Sequence, residues 1–100
     1  MRFDVYKMPA GGRPGYLVDV QSDLLSNLPN RMVIPLFSDP RLPVIFRDLN
    51  PRFEVAGNLV VLMTQELASI QKRYLQRPVG SLADHRDDIT RALDMLFTGF

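Results

Sequence analysis

Short apolar runs separated by turn-forming residues make up most of this chain, and a helical repeat of apolar residues appears only near its end. Eight prolines and six glycines divide the 100 residues into segments that are mostly too short for a stable helix. Short segments in which apolar and polar residues alternate are typical of half-buried strands. The pattern therefore predicts several short strands followed by one helix.

Three of the predicted strands lie in the first part of the chain. Residues 3–7 and 16–20 flank a glycine-rich stretch at 11–15, which predicts a hairpin loop. The third strand covers 31–37 and contains Pro35. Because proline has no N–H to donate to a neighbouring strand, we expect Pro35 at a sheet edge or a bulge.

The middle of the chain predicts another hairpin. Residues 53–55 and 59–63 surround a Gly-Asn pair at 57–58, and such a pair between apolar runs is a good hairpin signal. The unbroken apolar run 59–63 predicts a strand that is buried on both faces. Residues 64–69 predict a short helical turn, and 70–76 predict a further strand.

The last segment carries the clearest helical signal. Apolar residues recur with a period of about 3.6 from 82 to 97, which predicts an amphipathic helix. Ser81 is the predicted N-cap, with Asp84 three residues later in a capping-box-like position. Gly99 is placed to end the helix. Strands joined by hairpins close economically as a small antiparallel barrel, so we expect a single domain over 1–100 that is mainly β, with a C-terminal α-helix packed on the barrel.

Charge and composition argue against several classes of protein. The formal net charge is only +1, so the electrostatic signature of direct nucleic-acid binding is absent. The densest basic cluster, Lys72, Arg73 and Arg77, is interpreted as a solvated strand edge. With no cysteine and one histidine, we expect neither a transition-metal site nor another cofactor. The start of the chain lacks a signal-peptide pattern and no apolar run approaches the ~20 residues of a membrane span, so a cytoplasmic protein without membrane contact is expected.

Few residues suggest catalysis. A nuclease hypothesis would use Asp19 and Asp23 with Arg31 or Arg73 as acid–base groups. The simpler interpretation, which we favour, is that Asp19 holds a strand end and Asp23 caps a turn. The serines have no nearby histidine to act as a base. The sequence therefore predicts no catalytic residue.

The end of the chain favours an interaction protein instead. Phe97 and Phe100 surround a short segment that contains the helix-ending glycine. Core packing explains Phe97 readily but explains Phe100 poorly. Aromatic side chains that stay exposed at a chain end are suited to anchoring a partner.

Two sequence blocks carry a family resemblance. Residues 18–23 read Val-Asp-Val-Gln-Ser-Asp and residues 31–36 read Arg-Met-Val-Ile-Pro-Leu, a combination that resembles the hallmark of CcdB-type toxins. The similarity runs from end to end of the chain. It implies an SH3-like barrel, a homodimer and the toxin of a type II toxin–antitoxin pair. It also implies binding to the A subunit of DNA gyrase, trapping of gyrase on cleaved DNA, and neutralisation by a CcdA-like antitoxin that folds on binding.

The resemblance further implies two sets of contact residues. The gyrase-contacting positions match Leu24, Leu25, Asp94, Phe97, Thr98, Gly99 and Phe100. The antitoxin-contacting positions match Gln21, Asp23, Met32, Val33, Arg41 and Leu42. The chain departs from the family's best-known form by having Thr98 in place of a tryptophan and Asp94 in place of an asparagine. Losing a large aromatic residue from a hot spot can cost ~2 kcal/mol or more.

Two alternative functions remain open. The same barrel serves MazF-like endoribonuclease toxins, and fold alone does not decide function. That activity needs an acid–base pair and a basic RNA groove, and the near-neutral charge argues against it. An inactive relative that only binds an antitoxin would equally accommodate Thr98 and Asp94.

Overall fold

A computed structural model of the chain describes residues 1–9, 15–38 and 46–99. These residues contain seven strands and one α-helix. Their bounds are β1 (Asp4–Lys7), β2 (Gly15–Asp19), β3 (Asn30–Phe37), β4 (Arg52–Val55), β5 (Asn58–Leu62), β6 (Ala68–Gln71), β7 (Gly80–Ser81) and α1 (Arg86–Thr98). No helix in the described part of the chain is long and apolar enough to cross a membrane.

The strands form one antiparallel sheet in the order β4-β5-β3-β2-β1-β7, and β6 also pairs with β3. The sheet curls into a nearly closed barrel shape that is followed by the C-terminal helix. β1 and β2 pair antiparallel, as the predicted hairpin requires. The predicted fold class is therefore confirmed.

One apolar cluster fills the space between the curled sheet and the helix. Alternate residues of the strands point inward, because successive strand side chains face opposite sides of a sheet. The helix contributes Ile89 and Ala92, which are fully buried. The strand residues in the cluster with no exposed surface are Val5, Val18, Ile34, Leu36, Val60 and Leu62.

Pro35 lies within β3, a central strand, so the expectation of a sheet edge was wrong. β3 pairs with β2 along one side, and along the other with β6 at 30–33 and then with β5 at 36–37. The N–H and C=O of a strand residue point to the same side. The carbonyl of Pro35 accepts the N–H of Met63 at 2.9 Å, so it points toward β5 and β6 and not toward β2. The nitrogen of Pro35 points to the same side, between the residues of β3 that pair with β6 and those that pair with β5. No described strand residue there requires an N–H from position 35.

The β4–β5 hairpin turns one residue earlier than expected. Val55 pairs with Asn58, so Ala56 and Gly57 form the turn in place of the predicted Gly-Asn pair. The expectation that 59–63 is buried on both faces also fails at Leu59, which is 61% exposed beside the turn. The glycine-rich loop predicted at 11–15 lies almost entirely outside the described residues.

The helix starts later than the periodicity suggested. Residues 83–85 form a 3-10 turn, and α1 begins at Arg86 without a side-chain N-cap. The Ser81 hydroxyl accepts the N–H of Ala83 at 3.1 Å, so it caps the 3-10 turn and not the helix. The N–H of Leu82 donates to the carbonyl of Phe3 at 2.8 Å, which holds this segment on the sheet and delays the helix.

The strand predicted at 70–76 ends at Gln71, and residues 72–74 form a 3-10 turn. Gln71 pairs with Asn30, the first residue of β3. The pairing between β6 and β3 therefore has no further residue of β3 to continue with. The basic cluster of Lys72, Arg73 and Arg77 was expected to lie on a strand edge. This was wrong for Lys72 and Arg73, which lie in the 3-10 turn.

Candidate functional site

The end of α1 brings together the helix residues of the implied gyrase surface. Gly99 adopts a left-handed conformation (φ 80°) and donates its N–H to the carbonyls of Asp94 and Met95, which confirms that this glycine ends the helix. The Thr98 hydroxyl donates to the Asp94 carbonyl at 2.6 Å. The Phe97 side chain is 68% exposed, so it adds little to the core. Phe100 lies outside the described residues.

Leu24 and Leu25, the other implied gyrase contacts, project from a 3-10 turn over Asp23–Leu25. The Ser22 hydroxyl accepts the Leu24 N–H at 3.2 Å, and the side-chain amide of Gln21 donates to the Leu25 carbonyl at 3.2 Å. These polar contacts hold the backbone while Leu24 remains 93% exposed. Within the described residues, no hydrogen bond or ion pair joins this turn to the end of α1.

Part of the implied antitoxin surface meets where β2 ends and β3 begins. The side-chain oxygen of Gln21 accepts the Met32 N–H at 3.0 Å, and Asp23 follows two residues later. Val33 is only 2% exposed, so its side chain supports this surface from within. The last two members of the set, Arg41 and Leu42, lie outside the described residues.

A buried ion pair joins the same strand ends. Asp19 Oδ2 accepts a hydrogen bond from Arg31 Nε and lies 2.8 Å from Arg31 Nη2, and the two side chains are only 1% and 4% exposed. Asp19 Oδ1 accepts the N–H of Gln21, whose carbonyl accepts from Arg31 Nη2. The hydrogen bond to Asp19 raises the pKa of Arg31, so the guanidinium stays charged. The sequence-based interpretation of Asp19 as a strand-end residue is confirmed. The interpretation of Asp23 as a turn cap was wrong, because the Ser22 hydroxyl caps the turn and Asp23 Oδ1 accepts the Arg2 N–H instead.

An open cleft of about 420 Å³ lies beside this ion pair. Residues from the start of the chain, from β1, β2 and β3, and from the segments after β2 and β6 line it: Met1, Tyr6, Asp19, Asp23, Ser26, Arg31, Lys72, Leu75 and Gln76. Burial raises the pKa of the Tyr6 hydroxyl, and the carboxylates of Asp4 and Asp19 add to the rise. Sequence reasoning missed Tyr6 and did not place Lys72 here, because a single tyrosine on a strand and a lysine far along the chain carry no shared pattern.

The cleft gathers three of the four residues that the nuclease hypothesis named, but not in a catalytic state. Both oxygens of Asp19 already accept hydrogen bonds and its side chain is 1% exposed, so this carboxylate is not presented to a substrate. Arg73 lines a different cleft. In the described part of the chain, no cluster of histidine, aspartate and glutamate side chains could hold a metal ion.

Comparison with known families identifies the chain. A family model described as CcdB protein matches residues 2–99. The match covers nearly all of the 100 residues and includes both sequence blocks and the helix end described above. The protein therefore belongs to the CcdB family, and this membership supports a role as the toxin of a toxin–antitoxin pair.

Proposed function

We propose that this CcdB-family toxin acts by binding the A subunit of DNA gyrase and trapping the cleaved gyrase–DNA complex, without being an enzyme itself. The observation that carries the proposal is the exposed end of α1, where Phe97 is 68% exposed beside the helix-ending Gly99. An exposed aromatic side chain on a fixed helix end is suited to act as a hot spot. Asp94, Thr98 and Phe100 complete this proposed contact, and Leu24 and Leu25 form a second one.

The proposed antitoxin surface lies mainly where β2 ends and β3 begins. It comprises Gln21, Asp23, Met32 and Val33 of the strand ends, together with Arg41 and Leu42. Gln21 is hydrogen-bonded on both sides, to Leu25 and to Met32, and thus gives a partner a fixed surface. A disordered antitoxin segment that folds on this surface would bind reversibly. We further propose that the toxin is a cytoplasmic homodimer.

A gyrase cleavage assay tests the proposal. Purified protein, supercoiled plasmid, ATP and gyrase from the source organism are incubated, and linear DNA is measured. We expect linear DNA with the parent protein and its loss after deletion of residues 98–100. Phe97→Ala removes an aromatic anchor that contributes ~2 kcal/mol or more. This is equivalent to roughly a thirtyfold rise in the protein concentration needed for the same yield.

Two exposed apolar residues outside the proposed surface provide matched controls. Phe46 is 58% exposed and Leu59 is 61% exposed. Phe46→Ala should leave the yield of linear DNA unchanged, unlike Phe97→Ala. Leu59→Ala should likewise have no effect, whereas Leu24→Ala should lower the yield. Equal losses in the control variants, or no linear DNA from folded parent protein, would contradict the proposal. RNA cleavage without gyrase would then indicate a ribonuclease, and antitoxin binding without either activity would indicate a decoy.

A further inference from the structure

The segment that contains β6 and the turn after it is rich in cations and has no acidic residue. Residues 67–83 contain Lys72, Arg73 and Arg77 but no aspartate or glutamate, and the neighbouring strand β3 contains none either. All three cations are exposed, and none forms an ion pair with any residue that the structure describes. The net charge of +1 for the whole chain therefore conceals a local excess of positive charge.

The 3-10 turn Lys72–Tyr74 holds two of these cations at a fixed place on the surface. The Lys72 N–H donates to the Pro29 carbonyl at 2.8 Å, and the Lys72 carbonyl accepts the Leu75 N–H at 3.1 Å. The Lys72 ammonium donates to the Ser26 carbonyl at 3.0 Å. An ammonium group carries three N–H donors, so Lys72 can still contact an anion.

Arg73 and Tyr74 form an ordered pair within this turn. The central carbon of the Arg73 guanidinium lies 4.9 Å from the centre of the Tyr74 ring, and Nη2 donates to the Tyr74 hydroxyl at 3.1 Å. A guanidinium has five N–H donors, and this is its one hydrogen bond within the described residues. Tyr74 remains 52% exposed although the guanidinium lies over its ring. The pair therefore presents donors for an anion next to an open aromatic surface.

An open cleft of about 590 Å³ adjoins the turn. The described residues that line it are cationic, amide-bearing or apolar, and none is acidic: Pro29, Asn30, Gln71, Lys72 and Arg73. The two carboxylates that share a cleft with Lys72, those of Asp19 and Asp23, line the other cleft, beside the buried ion pair. An anion at the turn therefore meets cations and amide groups.

We propose that the turn Lys72–Tyr74, together with Arg77, binds a single strand of nucleic acid without sequence preference. The cations contact phosphates and the Tyr74 ring stacks on a base. Proteins that bind single strands in this way combine cations along the backbone with aromatic side chains on which bases stack. An acidic protein segment would use the cations alone, and a duplex keeps its bases away from the ring. This inference goes beyond the proposed gyrase contact and does not depend on it.

Fluorescence anisotropy tests the inference on the full chain. The probes are a short fluorescein-labelled oligothymidylate and the matching oligouridylate, each titrated at several salt concentrations. We expect a dissociation constant on the order of 10⁻⁵ M at low salt. Each cation that contacts a phosphate adds about 0.7 to the steepness with which log affinity falls against log salt concentration. Arg73→Gln and Arg77→Gln should therefore each lower this steepness by about 0.7.

Variants of Tyr74 test the stacking contact separately from the charge. Tyr74→Leu removes the ring and should weaken binding about tenfold with the salt dependence unchanged, because stacking involves no phosphate. Tyr74→Phe keeps a ring and should bind as the parent protein does. Since all the substituted side chains are exposed, the fold should persist, and urea unfolding verifies this.

The matched control is Arg91, an exposed arginine on α1 that pairs with Asp88. Arg91→Gln should change neither the affinity nor its salt dependence. Equal losses in Arg91→Gln and Arg73→Gln, parent-like binding by Tyr74→Leu, or tighter binding of a duplex than of the single strand would overturn the inference. Displacement of the strand by polyaspartate at equal charge would overturn it in favour of an acidic protein partner. Binding of either probe supports it, and the tighter of the two identifies DNA or RNA as the source.

Discussion

Asp19 and Arg31 are charged side chains that lie almost completely away from solvent. Removal of two charges from water costs several kcal/mol each, and their attraction repays this only when the remaining donors and acceptors are satisfied. Here the Gln21 backbone supplies one further donor and one further acceptor, and the N-terminal ammonium and the Asp23 carboxylate lie 3.8 Å from Asp19 Oδ2 and 3.6 Å from Arg31 Nη2. The pair also fixes the ends of β2 and β3 relative to each other, so the surfaces on both sides of it depend on it.

We predict that Asp19→Ala lowers the free energy of unfolding by about 3 kcal/mol, because it leaves the buried Arg31 guanidinium with only the half-exposed Asp23 carboxylate, 3.6 Å from Nη2, as counter-charge. Urea denaturation of the parent and variant proteins measures this directly. The change leaves the apolar core and the end of α1 intact.

The matched control is the exposed pair of Asp88 and Arg91, which are 3.3 Å apart on α1 with side chains 49% and 58% exposed. Asp88→Ala should lower the free energy of unfolding by less than about 1 kcal/mol, because solvent screens the pair and the side chains lose entropy when they meet. Similar losses in the two variants would show that burial of the Asp19 pair has no special importance.

At the scale of elements, the β4–β5 hairpin contains a local conflict. Ala56 and Gly57 both have positive φ, at 51° and 81°, as a two-residue turn that matches the twist of the strands requires. Glycine accepts this conformation freely, whereas the Cβ of alanine crowds its own backbone there. The hairpin therefore forms despite the residue at Ala56, because Val55, Val60 and Leu62 bury apolar surface on either side of the turn.

We predict that Ala56→Asn raises the free energy of unfolding by about 1 kcal/mol, because asparagine tolerates the left-handed conformation better than alanine does. Gly57→Ala serves as the comparison. It should lower the free energy of unfolding by about 1 kcal/mol, although an added methyl group would meet nothing within 4 Å. Urea denaturation measures both. A loss of stability in Ala56→Asn would mean that the turn does not have the positive φ values described here.

For the whole molecule, several large apolar side chains remain exposed on a single chain of 100 residues. Besides Leu24 and Phe97 of the proposed gyrase contact, they include Leu28, Tyr74 and Val79, which are 47%, 52% and 40% exposed. A domain of this size buries only about two-thirds of its unfolded surface, so a second copy would add substantially to its stability. These residues are consistent with the proposed homodimer and with further partners.

We predict that the thermal unfolding midpoint rises with protein concentration, because dimer formation stabilises the folded state by mass action. Differential scanning fluorimetry across a hundredfold range of concentration measures this. Sedimentation at micromolar concentration should give twice the mass of one chain. A constant midpoint together with the mass of a single chain would contradict the homodimer.

The sequence by itself determined the order of strands and helix, the end of the helix at Gly99 and the family, because turn residues, apolar periods and the two blocks at 18–23 and 31–36 act locally or are read directly. It also indicated that Asp19 holds a strand end. The exact start of α1 was not predictable, because a hydrogen bond between Leu82 and Phe3, at opposite ends of the chain, competes with the local cap.

Only the tertiary structure decided how β3 accommodates Pro35, and which polar residues share a cleft. Pro35 is tolerated because two different strands neighbour β3 on either side of it. Tyr6, Arg31 and Lys72 line one cleft because β1 and β3 begin, and β2 and β6 end, on the same side of the sheet. Which distant residues line one cleft depends on strand pairing between distant segments, and no local spacing in the sequence encodes that pairing.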